Sequence, residues 1–345
     1  MKGTVAALAA LCLLTAGCTA LPGAMEPENM AIISVLGVDW DAGIFTVYSA
    51  VEGRSGEEPE VFSGHADSLA GAIEATRDMG KQTLSYAHVE HILLGESAAS
   101  QLSHILSYGF RTSEQSTETN LWLLRDVSAG EVFSKTDHLP ERMTTLKYMG
   151  EKEKEFALRS LRSLAEGLAD GDGGILPALT QKDNSLVFDG YGLFRGETLA
   201  GFTGEELARG TALLSGGNLS WTVATEEGAV VVKTRSSSVR PVWNGDVLTG
   251  LSLRYRLQAA GTEDWDESSL QALCSRLEGQ TGTEIQDAAA YFRKINADCG
   301  GLYRRAGLRD PLRWDKLKET RKQGCDGLTL NVKVSVEWRG GGSTG

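Results

Sequence analysis

The sequence predicts a multi-domain α/β protein in which mixed β-sheets are surrounded by helices. The chain has 345 residues, a length typical of two or three domains. Hydrophobic residues make up 41% of it, which is enough for a substantial core. β-rich runs alternate with amphipathic helical segments over much of the chain. This alternation favours mixed sheets with helices packed on their faces.

The first 18 residues have the layout of a lipoprotein signal. Lys2 supplies a positive charge, and residues 4–14 form an almost unbroken apolar run that is too short for a permanent membrane helix. The small residue Gly17 before Cys18 is what a lipoprotein peptidase requires for cleavage. We therefore predict that Cys18 becomes the acylated N-terminus. The alternative is an ordinary secretory signal that is cleaved elsewhere. Cys12 does not fit, because a bulky residue precedes it.

After cleavage, the mature chain is predicted to contact the membrane only through Cys18. Two or three acyl chains on one cysteine suffice for stable anchoring. No later stretch approaches the roughly 18 apolar residues of a membrane helix. The net charge of −12 repels phosphate backbones and anionic headgroups, so nucleic acid is not an expected partner.

Three cysteines remain in the C-terminal third of the chain. A disulfide is permitted outside the cytosol. Cys274 falls on an apolar helix face, where we expect it to be buried. If any pair is bridged, the favoured one is Cys299 with Cys325.

The N-terminal part alternates strands and helices. Met30–Gly37 and Ile44–Val51 read as strands of a hairpin across a turn at 39–43. A helix is predicted from Asp67 as N-cap. One of its faces carries Leu69, Ala72, Ile73, Thr76 and Met79. A strand over 89–95, a helix over 97–107 and a strand over 121–125 follow.

The middle of the chain contains the clearest break. The pattern predicts one helix over 151–169, followed by the glycine- and aspartate-rich run 170–174 as the best region for a domain boundary. Strands are predicted over 186–194 and 198–202. Thr203 and Glu206 then have the spacing of a capping box. Two further strands are predicted over 219–224 and 229–234.

The C-terminal third has strong periodicity. Residues 251–257 alternate as a half-buried strand, and a helical face carries Leu270, Leu273, Cys274 and Leu277. A second capping box at Thr281–Glu284 predicts the start of another helix. Asp310-Pro311 opens a shorter helix. Residues 328–338 alternate as a strand with one solvated face.

These elements predict the following organisation. The bounds are 1–17 for the signal peptide, 18–28 for a tether, 29–185 for an N-terminal α/β domain, 186–245 for a middle β-rich subdomain, 246–339 for a C-terminal α/β subdomain and 340–345 for a tail.

No stretch of the sequence predicts catalysis, a cofactor or a metal. His88–His91 begins a strand, so His88 and Glu90 point away from His91 and do not form a metal pair. Gly190–Gly196 lies in a strand and turn, where its glycines allow a bend or close packing, unlike a dinucleotide-binding loop. The run 170–174 lacks the ligands of a calcium loop. Trp40, Trp314 and Trp338 are predicted to pack in or around the core.

Several stretches resemble the Ger(x)C family, the lipoprotein C subunits of spore germinant receptors. Met30–Asp39 resembles the family's opening strand, which ends in Gly-Ile-Asp, and His91–Glu96 resembles an apolar strand ending in Gly-Glu. Gly190–Gly201 resembles a glycine-rich hairpin, and Asp310–Trp314 and the final strand resemble the family's end. The family usually has Trp-Asp directly after the acylated cysteine, where this chain has Thr19-Ala20, and Gly192 replaces the usual Ala.

The resemblance implies a three-part α/β protein on the outer face of the spore inner membrane. It implies two partners, a polytopic A subunit and a transporter-like B subunit, the latter carrying most germinant binding. The C subunit would support assembly or signalling without catalysing a reaction. Cys18 is the one site residue that the resemblance and the signal together predict.

Two other functions are alternatives to a receptor subunit. A lipid-anchored solute-binding protein would need two similar lobes around a cleft. An extracytoplasmic hydrolase would need a nucleophile or metal motif, and no Gly-x-Ser-x-Gly elbow, in which a strand leads through the serine into a helix, is predicted.

Overall fold

A computed structural model describes residues 30–51, 60–79, 83–112, 115–169, 173–261, 265–320 and 328–339, with 316–320 as backbone only. Within these ranges the chain forms thirteen strands and ten α-helices. The strands are β1 (Met30–Asp41), β2 (Ile44–Val51), β3 (Glu60–Ala66), β4 (Thr83–Ser85), β5 (His91–Leu94), β6 (Asn120–Leu124), β7 (Gly173–Lys182), β8 (Ser185–Arg195), β9 (Thr198–Phe202), β10 (Ser220–Ala224), β11 (Ala229–Asn244), β12 (Val247–Gly261) and β13 (Thr329–Trp338). The helices are α1 (Leu69–Arg77), α2 (Glu96–Ala99), α3 (Leu102–Arg111), α4 (Ala129–Lys135), α5 (Leu139–Tyr148), α6 (Leu161–Ala169), α7 (Glu205–Leu214), α8 (Glu267–Lys294), α9 (Leu302–Gly307) and α10 (Pro311–Thr320).

The larger sheet has nine strands, in the order β3-β2-β1-β5-β6-β7-β8-β9, with β4 also paired to β1. β1, β5, β6 and β7 are parallel neighbours. Antiparallel hairpins complete both sides, β1-β2-β3 on one and β7-β8-β9 on the other. The sheet is therefore mixed, as the sequence predicts.

The smaller sheet has the order β10-β11-β12-β13. β13 lies parallel to β12, with Gly250 opposite Thr329 and Ala259 opposite Trp338. The long helix α8 covers this sheet, and Glu278 of α8 accepts a hydrogen bond of 2.9 Å from the backbone N–H of Val336. The amphipathic final strand is confirmed.

The core connects the two sheets. One hydrophobic cluster contains Val35 and Trp122 from the large sheet, Tyr255 from β12 and Phe292 from α8. A second cluster fills the other face of the large sheet, beneath α1 and α3. A third, smaller cluster lies between the small sheet and the first half of α8. The predicted fold class, mixed sheets surrounded by helices, is confirmed.

The single helix predicted over 151–169 is wrong. A π-helical turn over Met149–Glu153 ends at Lys154, which has a left-handed φ of 60°, and α6 begins only at Leu161. The segment between them runs along β6, with Asn120 and Ser160 forming an antiparallel bridge. Tertiary hydrogen bonds thus override the helical spacing of the apolar residues.

Both predicted capping boxes are also wrong. α7 begins at Glu205 after Gly204, because the Thr203 hydroxyl oxygen instead accepts a hydrogen bond of 2.9 Å from the backbone N–H of Tyr191. α8 is one continuous helix of 28 residues capped by Asp266, and Thr281 lies buried in its middle. A capping box does occur at Ser128 and Glu131, where it starts α4.

The predicted domain bounds stay a prediction. The 185/186 bound lies where the β7–β8 hairpin turns, and both strands belong to the large sheet. The 245/246 bound lies in the turn between β11 and β12, which are also hydrogen-bonded neighbours. The signal peptide, the tether and the tail lie outside the described residues.

Candidate functional site

The amino ends of four parallel strands form one edge of the large sheet. These ends are Met30 of β1, His91 of β5, Asn120 of β6 and Gly173 of β7, and we call this edge the amino edge. Met30 is the first described residue, and it lies beside Thr83 of β4. Cys18, the predicted acylation site, lies outside the described residues. The described part of the chain therefore begins at the amino edge.

A polar cavity of about 550 Å³ opens at the amino edge. The Lys147 ammonium lies 2.8 Å from the Glu90 carboxylate, and Arg162 lies 2.8 Å from Glu118. The hydrogen bond from Lys147 lowers the pKa of Glu90 below its ordinary value. These carboxylates are therefore held in ion pairs beside the cavity.

His91 faces away from this cavity. It is buried, and its Nδ1 accepts a hydrogen bond of 3.1 Å from the Trp122 indole N–H. Burial lowers the pKa of His91 to about 4, so the imidazole is neutral at pH 7. His88 and Glu90 are exposed just before β5 begins, and the Glu90 carboxylate lies 4.0 Å from the His91 Nε2, so the prediction that Glu90 points away from His91 is wrong. No cluster of three potential metal ligands occurs in the described part of the chain.

At the opposite edge of the sheet, the ends of the stretches Met30–Asp39 and His91–Glu96 meet. The Asp39 carboxylate accepts hydrogen bonds of 3.0 Å each from the backbone N–H groups of Ala129 and Gly130, and so caps α4. A Cβ at Gly95 would lie 2.1 Å from the Asp39 Oδ1. Gly95 thus leaves the space that the capping carboxylate occupies, and the two stretches together fix how α4 joins the sheet.

Close packing is also seen in the other two stretches that resemble the Ger(x)C family, Gly190–Gly201 and Asp310–Trp314. Gly190 has a left-handed φ of 85°, and a Cβ at Gly192 would lie 2.2 Å from the Leu123 side chain. At the start of α10, a Cβ on Gly307 would lie 2.1 Å from the Trp314 ring. The interpretation of the glycine-rich hairpin as a site of close packing is confirmed.

The cysteines differ from expectation in one respect. Cys274 is partly exposed, so its predicted burial is wrong; it lies on the flank of the α8 face that Leu273 and Leu277 bury. Cys299 is buried, and burial raises the pKa of its thiol. Cys325 lies outside the described residues, and its pairing with Cys299 stays a prediction.

Sequence patterns did not reveal two arrangements. The contact of Gly95 with Asp39 joins positions 56 residues apart. The one signal that could have indicated it is Gly37-Val38-Asp39, a Gly-x-Asp at the end of a buried strand. A cluster of three arginines, Arg159, Arg304 and Arg305, lines a second cavity. Arg304 and Arg305 are adjacent and form a visible basic pair, but Arg159 lies far from them in sequence, and no local pattern brings the three together.

Comparisons with known proteins give one family match and one similar fold. Residues 23–181 match the family model of the spore germination protein N-terminal domain. No curated protein matches the chain in sequence. The crystal structure of the GerBC protein has a similar fold, with a TM-score of 0.56 and 15% identity over 88% of this chain and 96% of that chain. Residues 23–181 therefore belong to the family of spore germination protein N-terminal domains, as the resemblance to the Ger(x)C family implies.

Proposed function

We propose that this protein is the C subunit of a spore germinant receptor, anchored by acyl chains such as palmitate on Cys18 to the outer face of the spore inner membrane. The observation that carries the proposal is the match of residues 23–181 to a spore germination domain, and a predicted lipoprotein signal precedes that domain in the same chain. Two or three acyl chains hold a protein stably at a bilayer.

The position of Met30 supports this anchoring. The twelve residues from Cys18 to position 29 span at most about 40 Å when fully extended. Met30, at the amino edge of the large sheet, would therefore lie within about 40 Å of the acylated residue. Among the described residues, no helix combines the length and hydrophobicity of a membrane span.

In this proposal the subunit acts by contact, without catalysing a reaction. Its partners are a polytopic A subunit and a transporter-like B subunit, and its role is to support receptor assembly and germination signalling. The two sheets, of nine and four strands, share a core cluster and are unlike the similar lobes of a solute-binding protein. This architecture favours an interaction subunit over the solute-binding alternative.

The experiment is to replace Cys18 with Ala in spores. We expect the Cys18→Ala protein to leave the inner-membrane fraction and the spores to lose their nutrient response, because the acyl attachment is gone. Cys12→Ala is the matched control, since it removes the other N-terminal cysteine and should change neither property. A Cys18→Ala protein that stays in the membrane and supports germination would contradict the proposal.

A further inference from the structure

The three arginines of the second cavity lie at the amino edge of the large sheet. The cavity has a volume of about 210 Å³, equivalent to roughly seven water molecules. Its walls come from α6, the amino end of β7, the end of α7 and the segment that starts α9. Its lining residues include Arg159, Arg304, Arg305, Glu166 and Ser215. These groups surround a space of the size of a small polar ligand.

Two of the arginines have only neutral partners in the described part of the chain. Arg159 donates hydrogen bonds of 3.2 Å and 3.1 Å to the carbonyl oxygens of Leu158 and Ser215. Arg305 donates to the carbonyl oxygen of Leu214 and to the Tyr255 hydroxyl. A guanidinium has five N–H donors, so several remain for a ligand.

The two guanidiniums are also close enough to repel each other. Burial lowers the pKa of Arg159 below its ordinary value; Tyr191 opposes this shift, and the positive charge of Arg305 adds to it. Placing like charges together away from water is unfavourable unless an opposite charge compensates them. The arrangement would be stabilised by an anion in the cavity.

The protein groups around the cavity supply only part of that compensation. The carbonyl end of α7, at Leu214 and Ser215, carries about half a negative charge. Among the described residues that line the cavity, Glu166 is the one carboxylate, and it lies 3.7 Å from Arg304. Nearby Asp298 does not line the cavity, and its carboxylate accepts hydrogen bonds from the N–H groups of Leu302 and Tyr303. Among the described residues, Arg159 and Arg305 thus meet a helix end and no carboxylate within ion-pair distance.

We propose that this cavity binds a phosphate group, held by Arg159, Arg304 and Arg305. Guanidinium groups bind phosphate through paired, charge-assisted hydrogen bonds, and phosphate fits the cavity volume. The phosphate would belong to a free ion or to a lipid headgroup, which the amino edge would meet near a bilayer. The site does not depend on the proposed receptor function.

The test is isothermal titration calorimetry of the full chain in a non-ionic detergent, in buffer free of phosphate and sulfate. One arm uses inorganic phosphate and the other uses monomeric short-chain phosphatidylglycerol. We expect saturable binding in at least one arm. Binding of inorganic phosphate would indicate a free ion as the source, and binding of the lipid alone would indicate a headgroup.

The variants separate the site from general charge effects. Arg304→Gln, at a partly exposed position, should weaken binding at least about tenfold, because it removes a charged hydrogen-bond donor. Glu166→Gln should tighten binding up to about fivefold, since it removes a competing carboxylate. Arg162→Gln is the control. Arg162 lies on α6, as Glu166 does, but it pairs with Glu118 outside the cavity.

Two results would overturn the proposal. The first is the absence of saturable binding in both arms, which would mean that the guanidiniums are already compensated within the chain. The second is binding that Arg304→Gln, Glu166→Gln and Arg162→Gln all change equally or not at all. Arg159→Met is an additional variant, and circular dichroism checks its folding before titration.

Discussion

At the scale of single residues, the stretches shared with the Ger(x)C family are determinants of the fold. Gly95 is a glycine because the Asp39 carboxylate fills the position of a Cβ, and Asp39 is needed there because it caps α4. Gly192 likewise lets β8 approach Leu123. These residues carry the family resemblance through packing, which explains why sequence analysis found no chemistry in them.

Gly95→Ala should lower the free energy of unfolding by about 2–4 kcal/mol. The new methyl group collides with Asp39, which adds the cost of overpacking to the loss of a helix cap. Urea denaturation of the purified protein measures the change. Gly279→Ala is the control, because nothing lies within 4 Å of a Cβ at that helical position, and it should raise stability by up to about 1 kcal/mol. Equal effects of the two substitutions would contradict this explanation of Gly95.

At the scale of elements, strands were easier to predict than helices. The alternation in β12 and β13 is a local property of the sequence, and both strands occur where it predicts them. The segment 151–169 has helical spacing, but Tyr191 and β6 hold part of it in an extended form. The helix caps at 203 and 281 failed for the same reason, since Thr203 has a tertiary partner and Thr281 is buried within α8.

Tyr191→Phe tests what holds the segment before α6 out of a helix. The Tyr191 hydroxyl oxygen accepts a hydrogen bond of 2.7 Å from the buried backbone N–H of Ala157. Its removal leaves that N–H without an acceptor, so we expect a loss of about 1–3 kcal/mol and faster hydrogen exchange at Ala157. Tyr148→Phe changes an exposed residue and should stay within about 0.5 kcal/mol. Unchanged exchange at Ala157 would show that the hydroxyl does not hold the segment.

At the scale of the whole molecule, the fold class could be predicted, whereas the way in which its parts join could not. Alternating strands and helices predict mixed sheets, and length predicts more than one part. The shared core depends on contacts between distant segments, such as the hydrogen bond from the Tyr255 hydroxyl to the Leu213 carbonyl oxygen. The cluster of three arginines arises in the same way, from the segment before α6 and α9 meeting at one sheet edge.

The net charge also bears on attachment. A body with a formal charge of −12 is repelled by anionic headgroups, so the acyl chains on Cys18 must supply the attachment in this account. The arginine cavity is a local exception at the amino end of β7.

The most direct test of the account is mass spectrometry of the tagged chain isolated with mild detergent from spore inner membranes. We predict a mature N-terminal peptide that begins at an acylated Cys18, together with peptides of a polytopic subunit and a transporter-like subunit. An unmodified N-terminus on a chain isolated without membrane partners would contradict the account.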